Sequence, residues 1–175
     1  MINRRNALVF TLAAAAMLAA SSARADESPL AIVTLFYKVS AGKDGKYSGN
    51  SAYYQDKIRA KYFSKGLRAL ADALDKKAKT ENGVGLDFDP ITDSQDPSVK
   101  DLKFEPDGES DGEAAVKASF AVESETGGVG PRKVIRFVFL REAKAWKLDN
   151  MTAGQGDDGW DLRKLLKADL AEKAN

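Results

Sequence analysis

The chain has 175 residues, 27 of them Lys or Arg and 26 Asp or Glu, for a net charge of +1, and it contains neither histidine nor cysteine. Those absences exclude a disulfide framework, a Ser-His-Asp triad, a cysteine nucleophile and the ordinary zinc and haem ligand sets. No metal and no cofactor is expected.

The amino terminus reads "MINRRNALVFTLAAAAMLAASSARADESP", with a basic start at Arg4 and Arg5, an apolar run over 7–20 and then Ala23-Arg24-Ala25. That is the order of a secretory signal peptide with a small-residue cleavage site, so residues 1–25 are expected to be removed after Ala25. The apolar run, roughly fourteen residues, is short of the ~20 that span a bilayer, and no cysteine is present to acylate, so no membrane anchor is expected after cleavage. The arginine pair lacks the phenylalanine two places on that accompanies twin-arginine signals, which makes ordinary unfolded export the expected route. Cleavage removes Arg4, Arg5 and Arg24 and no acid, taking the net charge from +1 to −2. Neither nucleic acid nor an anionic membrane is then a natural partner. The expected product is a periplasmic or secreted single domain over 26–175, long enough for one core.

Ser28 is an N-cap candidate and Pro29 a first-turn residue for a buried helix that runs through Val39. Gly42, Gly45 and Gly49 then break the chain into a loop. From 52 to 79 the spacing is helical: Tyr54, Ile58 and Tyr62 recur every fourth residue, followed by Phe63, Leu67, Leu70 and Leu74, with 64–66 separating two helices. Basic residues and Asn82-Gly83 mark the end of the second. After residue 98 the period becomes two. Leu102 and Phe104 alternate in a first strand, and Val116, Ala118, Phe120 and Val122 in a second. Ile135, Phe137 and Phe139 stand against Val134, Arg136, Val138 and Leu140 in a third, whose two apolar faces suit a central strand. Trp146 and Leu148 oppose Lys147 and Asp149 in a fourth. The links over 106–113 and 124–131 are of hairpin scale, so the sheet is antiparallel. Over 159–173, Leu162, Leu165, Leu166 and Leu170 form the stripe of a closing helix, with Asp157, Asp158 and Asp161 at its amino end. Amino-terminal helices, a curved antiparallel sheet of about four strands and a closing carboxyl-terminal helix make an α+β domain with helices over the concave side.

This order of elements, the stretch "DFDPITDSQD" between helices and sheet, and the late strand "AWKLDNM" resemble the exported family catalogued as domain of unknown function 3828. That family is similar to the nuclear transport factor 2-like, or cystatin-like, superfamily, a cone of helices on a bent antiparallel sheet. The resemblance covers roughly 29–152. In the family motif an aromatic residue follows the first aspartate, then come Asp-Pro and a Gln-Asp pair, which fall here on Asp87, Phe88, Asp89, Pro90, Gln95 and Asp96. Unlike the lipoproteins of that family, this chain has no cysteine to acylate. The resemblance implies a fold and a compartment but no reaction.

The acidic stretch has three readings. As a calcium loop it fails on spacing: after Asp87 and Asp89 as first and third ligands, the fifth position is Ile91, the turn glycine is Thr92 and the twelfth position is Ser98. As a structural connector, Asp89-Pro90 and Asp96-Pro97 form turns whose carboxylates accept backbone N–H groups, while Leu86, Phe88 and Ile91 pin the segment to the core. As acid/base machinery, Asp87 or Asp89 would pair with Tyr37, Tyr54 or Tyr62 inside the cone. The connector is the favoured reading. The glycines of "TGGVGPRK" lack the Gly-Lys-Ser/Thr ending of a phosphate loop and read as a flexible hairpin link. Trp146 reads as core, and Trp160 as a staple between the closing helix and the sheet.

Two classes of function remain, and enzymatic activity is the less favoured third. One is a non-enzymatic binding module whose cone holds a small apolar ligand, with Phe36, Tyr37, Phe137 and Phe139 lining the cavity and Tyr62, Asp87, Asp89, Gln95 and Asp96 as further contacts. The other is a protein-interaction domain, an inhibitor or immunity-type partner of an envelope enzyme. A cavity lined by these four rings with one or two inward polar groups favours the small ligand, and a solid core with an exposed aromatic patch favours a protein partner.

Overall fold

In the computed structural model, which describes residues 27–43, 46–47, 51–95, 98–123, 128–154 and 159–172, four helices and five strands form an α+β domain. The expected signal peptide, Asp96, Asp157 and Asp158 lie outside the described residues. Helix α1 (Pro29–Ser40) starts as its sequence implies, with the Ser28 hydroxyl accepting from Ala31 N and Pro29 in the first turn. It buries Ile32, Val33, Phe36 and Tyr37 and leaves Leu30 partly exposed, so one face is apolar and covered.

The next segment is divided differently from expectation. Residues Ala52–Tyr54 form a single 3₁₀ turn, and α2 (Asp56–Tyr62) begins only after Gln55. Tyr53 is the residue that enters the core. Tyr54 stays 42% exposed, with its hydroxyl shared between the carbonyls of Leu86 at 3.1 Å and Phe88 at 2.9 Å. A seven-residue helix cannot hold itself together by its own hydrogen bonds, and α2 is anchored by Arg59, which is 1% exposed. Its Nε donates to Tyr53 O at 2.5 Å, its Nη1 to Asp75 Oδ2 at 2.5 Å, and its guanidinium lies 4.7 Å above the Tyr53 ring.

Helix α3 (Lys65–Glu81) is capped by the Ser64 hydroxyl, which accepts from Leu67 N, and it stops at Asn82 in the left-handed region at φ 52°. Asparagine tolerates that conformation because its short polar side chain costs little there.

The strands β1 (Lys100–Glu109), β2 (Glu113–Glu123), β3 (Val129–Glu142), β4 (Ala145–Ala153) and β5 (Trp160–Asp161) pair antiparallel in sequence order. The sheet therefore has five strands where about four were expected. β5 holds two residues, too few to show an alternation, and it pushes the start of α4 (Leu162–Ala171) back from 159 to Leu162. The segments expected as links partly join the ladder: β1 runs to Glu109, and β3 takes in Val129 and Gly130. A Cβ on Gly130 would sit 2.9 Å from Val122 O, so only glycine permits that close approach of β3 to β2. In β4 the simple alternation breaks. The register slips opposite Val138 and Phe139, leaving Asp149 as the extra residue of a bulge, so that Leu148 and Met151 both turn inward.

One face of the sheet carries Val116, Ala118, Phe120, Ile135, Phe137, Phe139, Leu148 and Met151, and these pack with α1, Leu67, Ala71 and Leu74 of α3, and Leu162 and Leu166 of α4 into one core. The outer edge of β4 is covered: Phe63 bridges Leu148, Ser64 N donates to Leu148 O at 2.8 Å, and β5 pairs with Thr152 and Ala153. β1 forms the opposite edge, and it carries Pro106, register shifts at both ends and Lys100, Asp101, Lys103 and Glu105. Those features discourage a further strand from adding there.

The β3–β4 turn has two residues, Ala143 and Lys144, both at positive φ (48° and 71°). That is the backbone of a type I′ turn, which favours Asn-Gly, yet neither residue here relieves the steric cost. The double substitution Ala143→Asn, Lys144→Gly is expected to stabilise the domain by about 1 kcal/mol and raise its melting temperature by about 2–4 °C. An unchanged or lower melting temperature would argue against the turn as a site of strain.

Candidate functional site

The acidic stretch folds as a knot whose carboxylates turn toward the protein. Asp89 Oδ1 accepts from the Ser51 hydroxyl at 2.5 Å and from Ile91 N at 2.9 Å, and Oδ2 accepts from the Thr92 hydroxyl at 2.7 Å. Its backbone N–H donates to Ser94 O at 3.0 Å, and its carbonyl accepts from Thr92 N at 3.2 Å. Ile91 and Thr92 are fully buried beneath these bonds. Burial raises the Asp89 carboxyl above its ordinary value, although the bonds from Ser51, Ile91 and Thr92 pull it down. Asp93 adopts φ 49° and faces the sheet: Trp160 Nε1 donates to its Oδ1 at 2.7 Å, and Lys133 Nζ lies 3.0 Å from its Oδ2 and also reaches its carbonyl. The Phe88 and Trp160 rings meet edge to face at 5.3 Å. Loop, β3 and β5 are thus sewn together by one aspartate, one lysine and two aromatic rings. Trp160 does join the closing segment to the rest, by way of the loop.

Asp87, by contrast, is exposed and lines a cleft of about 400 Å³ between the carboxyl ends of α3 and α4, with Lys77, Glu81, Val84, Asp169 and Glu172. Lys77 Nζ is committed to the carbonyls of Asp169 at 2.5 Å and Glu172 at 2.6 Å. Burial, then the charges of Glu172 and Asp87, raises the Asp169 carboxyl. Gln95 is exposed at the end of the knot. Asp96 lies outside the described residues.

The four aromatic residues expected to line a cavity are each at most 1% exposed and belong to one core. Phe36 meets Phe137 at 6.4 Å and Tyr62 at 5.8 Å, while Tyr37 meets Phe104, Phe120 and Phe137 at 5.4, 6.0 and 6.2 Å. Phe139 is fully buried in the same core. The Tyr62 ring is buried, but its hydroxyl is taken by Lys61 Nζ at 2.7 Å. The Tyr37 hydroxyl is buried and has no hydrogen-bond partner among the described residues. Burial, then Tyr47, Asp89 and Asp93, pushes it well above the ordinary tyrosine value.

Among the described residues no tyrosine bonds to Asp87 or Asp89, and the Asp89 oxygens are occupied by Ser51 and by Ile91 and Thr92 of the loop. The Tyr54 hydroxyl is raised to about 12, chiefly by burial and next by the Asp89 charge. Among the described residues no group of three or more Asp and Glu side chains could hold a metal ion. Sequence reasoning missed Ser51, Thr92 and Lys133 as partners of the aspartates. Only the Asp-Pro turn chemistry pointed to the loop, and nothing local pointed to Ser51, which lies 38 positions earlier. Set against known protein families, curated proteins and solved structures, the chain matches none.

Because the folded state holds the Asp89 proton more tightly than the unfolded chain does, this group costs stability above its raised pKa and the cost disappears as pH falls toward the unfolded value. Asp89→Ala, which removes three hydrogen bonds, is expected to cost about 3 kcal/mol. Asp89→Asn, which keeps an acceptor without the charge, should cost less, and less at pH 7 than at pH 4. Urea unfolding of both variants at the two pH values checks this, and a difference independent of pH would rule out a buried charge as the source.

Proposed function

We propose that this protein is a non-enzymatic binding domain of the periplasm or exterior, and that its ligand is another protein. The filled interior supports this reading most directly: Phe36 and Tyr37 each pack ring against ring with Phe137, and Phe139 is buried in the same core, where a small apolar ligand would have to lie. The inward commitment of Asp89 and Asp93 supports it further, since a loop that spends its carboxylates on its own backbone and on β3 is architecture. An inhibitor or immunity-type role toward an envelope enzyme is one form such binding takes. Export rests on the signal-like residues 1–25, and among the described residues no helix is long and apolar enough to cross a membrane.

For the fold we propose the nuclear transport factor 2-like cone and kinship with domain of unknown function 3828. Three helices ahead of an antiparallel meander, with the Asp-Phe-Asp-Pro motif at the junction between them, support that assignment.

A second reading keeps the cone as a small-ligand site, and one observation favours it: the orphan hydroxyl of Tyr37. An unsatisfied buried hydroxyl costs about 1–3 kcal/mol and calls for an explanation.

Native mass spectrometry of the mature chain, purified gently from its own host, separates the two. The expected mass is that of the polypeptide alone or with a second polypeptide, and a retained small molecule would overturn the protein-partner reading. Tyr37→Phe is expected to stabilise the fold by about 1 kcal/mol. If the hydroxyl serves a ligand, the same change strips the adduct instead.

A further inference from the structure

We propose that Asn82 is a self-modifying position, where the side-chain amide is lost spontaneously and the carboxyl-terminal cap of α3 gains a negative charge beside an already acidic cleft. This does not depend on the binding reading above. An asparagine followed by glycine lets the next backbone nitrogen approach the side-chain carbonyl with little hindrance, because the attacking residue carries no Cβ. Gly83 N gives up its proton to water and bonds to Asn82 Cγ, while the Cγ–Nδ2 bond breaks and Nδ2 takes up a proton and leaves as ammonia. Water then opens the five-membered imide at either carbonyl. The products are aspartate and isoaspartate, the latter with the main chain routed through the side chain.

Two asparagines stand among the described residues, and they are placed oppositely. Asn150 is held: its Oδ1 accepts from Met151 N at 2.9 Å and Arg163 N at 3.1 Å, and the attacking residue would be the fully buried Met151. Asn82, Gly83 and Val84 are all exposed, and a Cβ on Gly83 would meet nothing within 4 Å. The restraint on the reaction is the cap. Gly83 N donates to Ala78 O at 3.0 Å, the closing bond of the turn that ends α3, and Asn82 N donates to the same oxygen. Ring closure requires Gly83 N to leave Ala78 O and rotate toward Asn82 Cβ, out of the left-handed backbone at φ 52° and ψ 28°. Helix ends fray, so the cap slows the reaction without abolishing it.

The new charge arrives where charge of that sign is already in excess. Glu81 and Gly83 line the cleft of about 400 Å³ together with Asp87, Asp169 and Glu172, and Lys77 beside them is committed to the carbonyls of Asp169 and Glu172. Burial, then Glu172 and Asp87, already raises the Asp169 carboxyl. A carboxylate at position 82 also meets the negative end of the α3 dipole. Isoaspartate adds a methylene to the main chain and destroys the cap geometry outright. Conversion therefore loosens the end of α3 against α4.

The test incubates the purified chain at neutral pH and 37 °C, folded and in urea, and digests it with trypsin, with an unincubated sample correcting for conversion during digestion. The peptide over 80–100 contains Asn82 as its sole asparagine. In the folded protein it is expected to gain the mass of acid over amide at position 82 and to become a substrate for isoaspartyl methyltransferase, at a rate at least tenfold below that in urea. Gly83→Ala, which the open space around Gly83 accommodates, should slow the reaction in urea at least tenfold. Asn82→Asp should lower the melting temperature by about 2 °C, and the converted fraction, separated by anion exchange, should melt lower still. An amide that survives in the folded chain while the urea sample converts would overturn the proposal. Equal rates in the two states would remove the cap as the gate, and melting curves unmoved by conversion would remove the loosening.

Discussion

The two layers are joined at the outer edge of β4, and one buried serine makes the joint. Ser64 offers its backbone N–H to Leu148 O, its hydroxyl accepts from Leu67 N to start α3, and the same hydroxyl donates to Asp149 Oδ1 at 2.6 Å. Asp149 is available only because a bulge frees it from the ladder, and Arg163 of α4 reaches it as well, at 2.7 Å. A sheet edge is a row of unpaired polar groups that has to be satisfied or screened. Here satisfying it also fixes where α3 and α4 lie over the core. The apolar contacts supply most of the energy, but they carry no direction, and the hydrogen bonds of Ser64 and Asp149 supply it.

The aspartate knot does the same for the opposite end of the helix layer. Ser51, at the start of the turn that feeds α2, is tied through Asp89 to a loop that Lys133 and Trp160 tie to the sheet. Residues that are far apart in the chain meet through short polar bonds, and the carboxylates that looked most reactive are the ones already spent.

How much of this could be read from the residues follows from what burial does to a sequence. Where one face of an element is covered throughout, the period appears directly, as in Leu67 and Leu74 of α3 or Val116, Ala118 and Phe120 of β2, although in α3 it is Ala71 and not the expected Leu70 that is fully buried. Where an extra residue interrupts the ladder the period shifts: Trp146 and Leu148 alternate with Lys147 and Asp149 as expected, but the bulge at Asp149 then sets two half-buried residues, Asp149 and Asn150, before buried Met151. The spacing put Tyr54 on the helical stripe, yet Tyr53 enters the core, because the Tyr54 hydroxyl is held outside by Leu86 and Phe88, more than thirty positions away. Two strand residues after a glycine-rich link carry no pattern at all, so β5 was invisible. In the candidate site, Asp-Pro chemistry announced a loop organiser, but the identity of its partners is long-range information that local spacing does not hold. The aromatic side chains expected to line a cavity were chosen correctly as interior residues. Composition cannot tell a filled interior from an empty one, since the same rings serve both.

The placement of α1 has a kinetic consequence. Its apolar face packs on β1 and β2, whose residues follow it by sixty to ninety positions, and α4, which packs on α3 and β4, follows the whole sheet in the chain. An emerging amino-terminal half of this chain has helices with nothing to cover them, and contacts of such long separation cannot form until most of the polypeptide exists. Folding is therefore held back until synthesis is nearly complete. No step of that folding waits on oxidation, because the chain has no cysteine to pair.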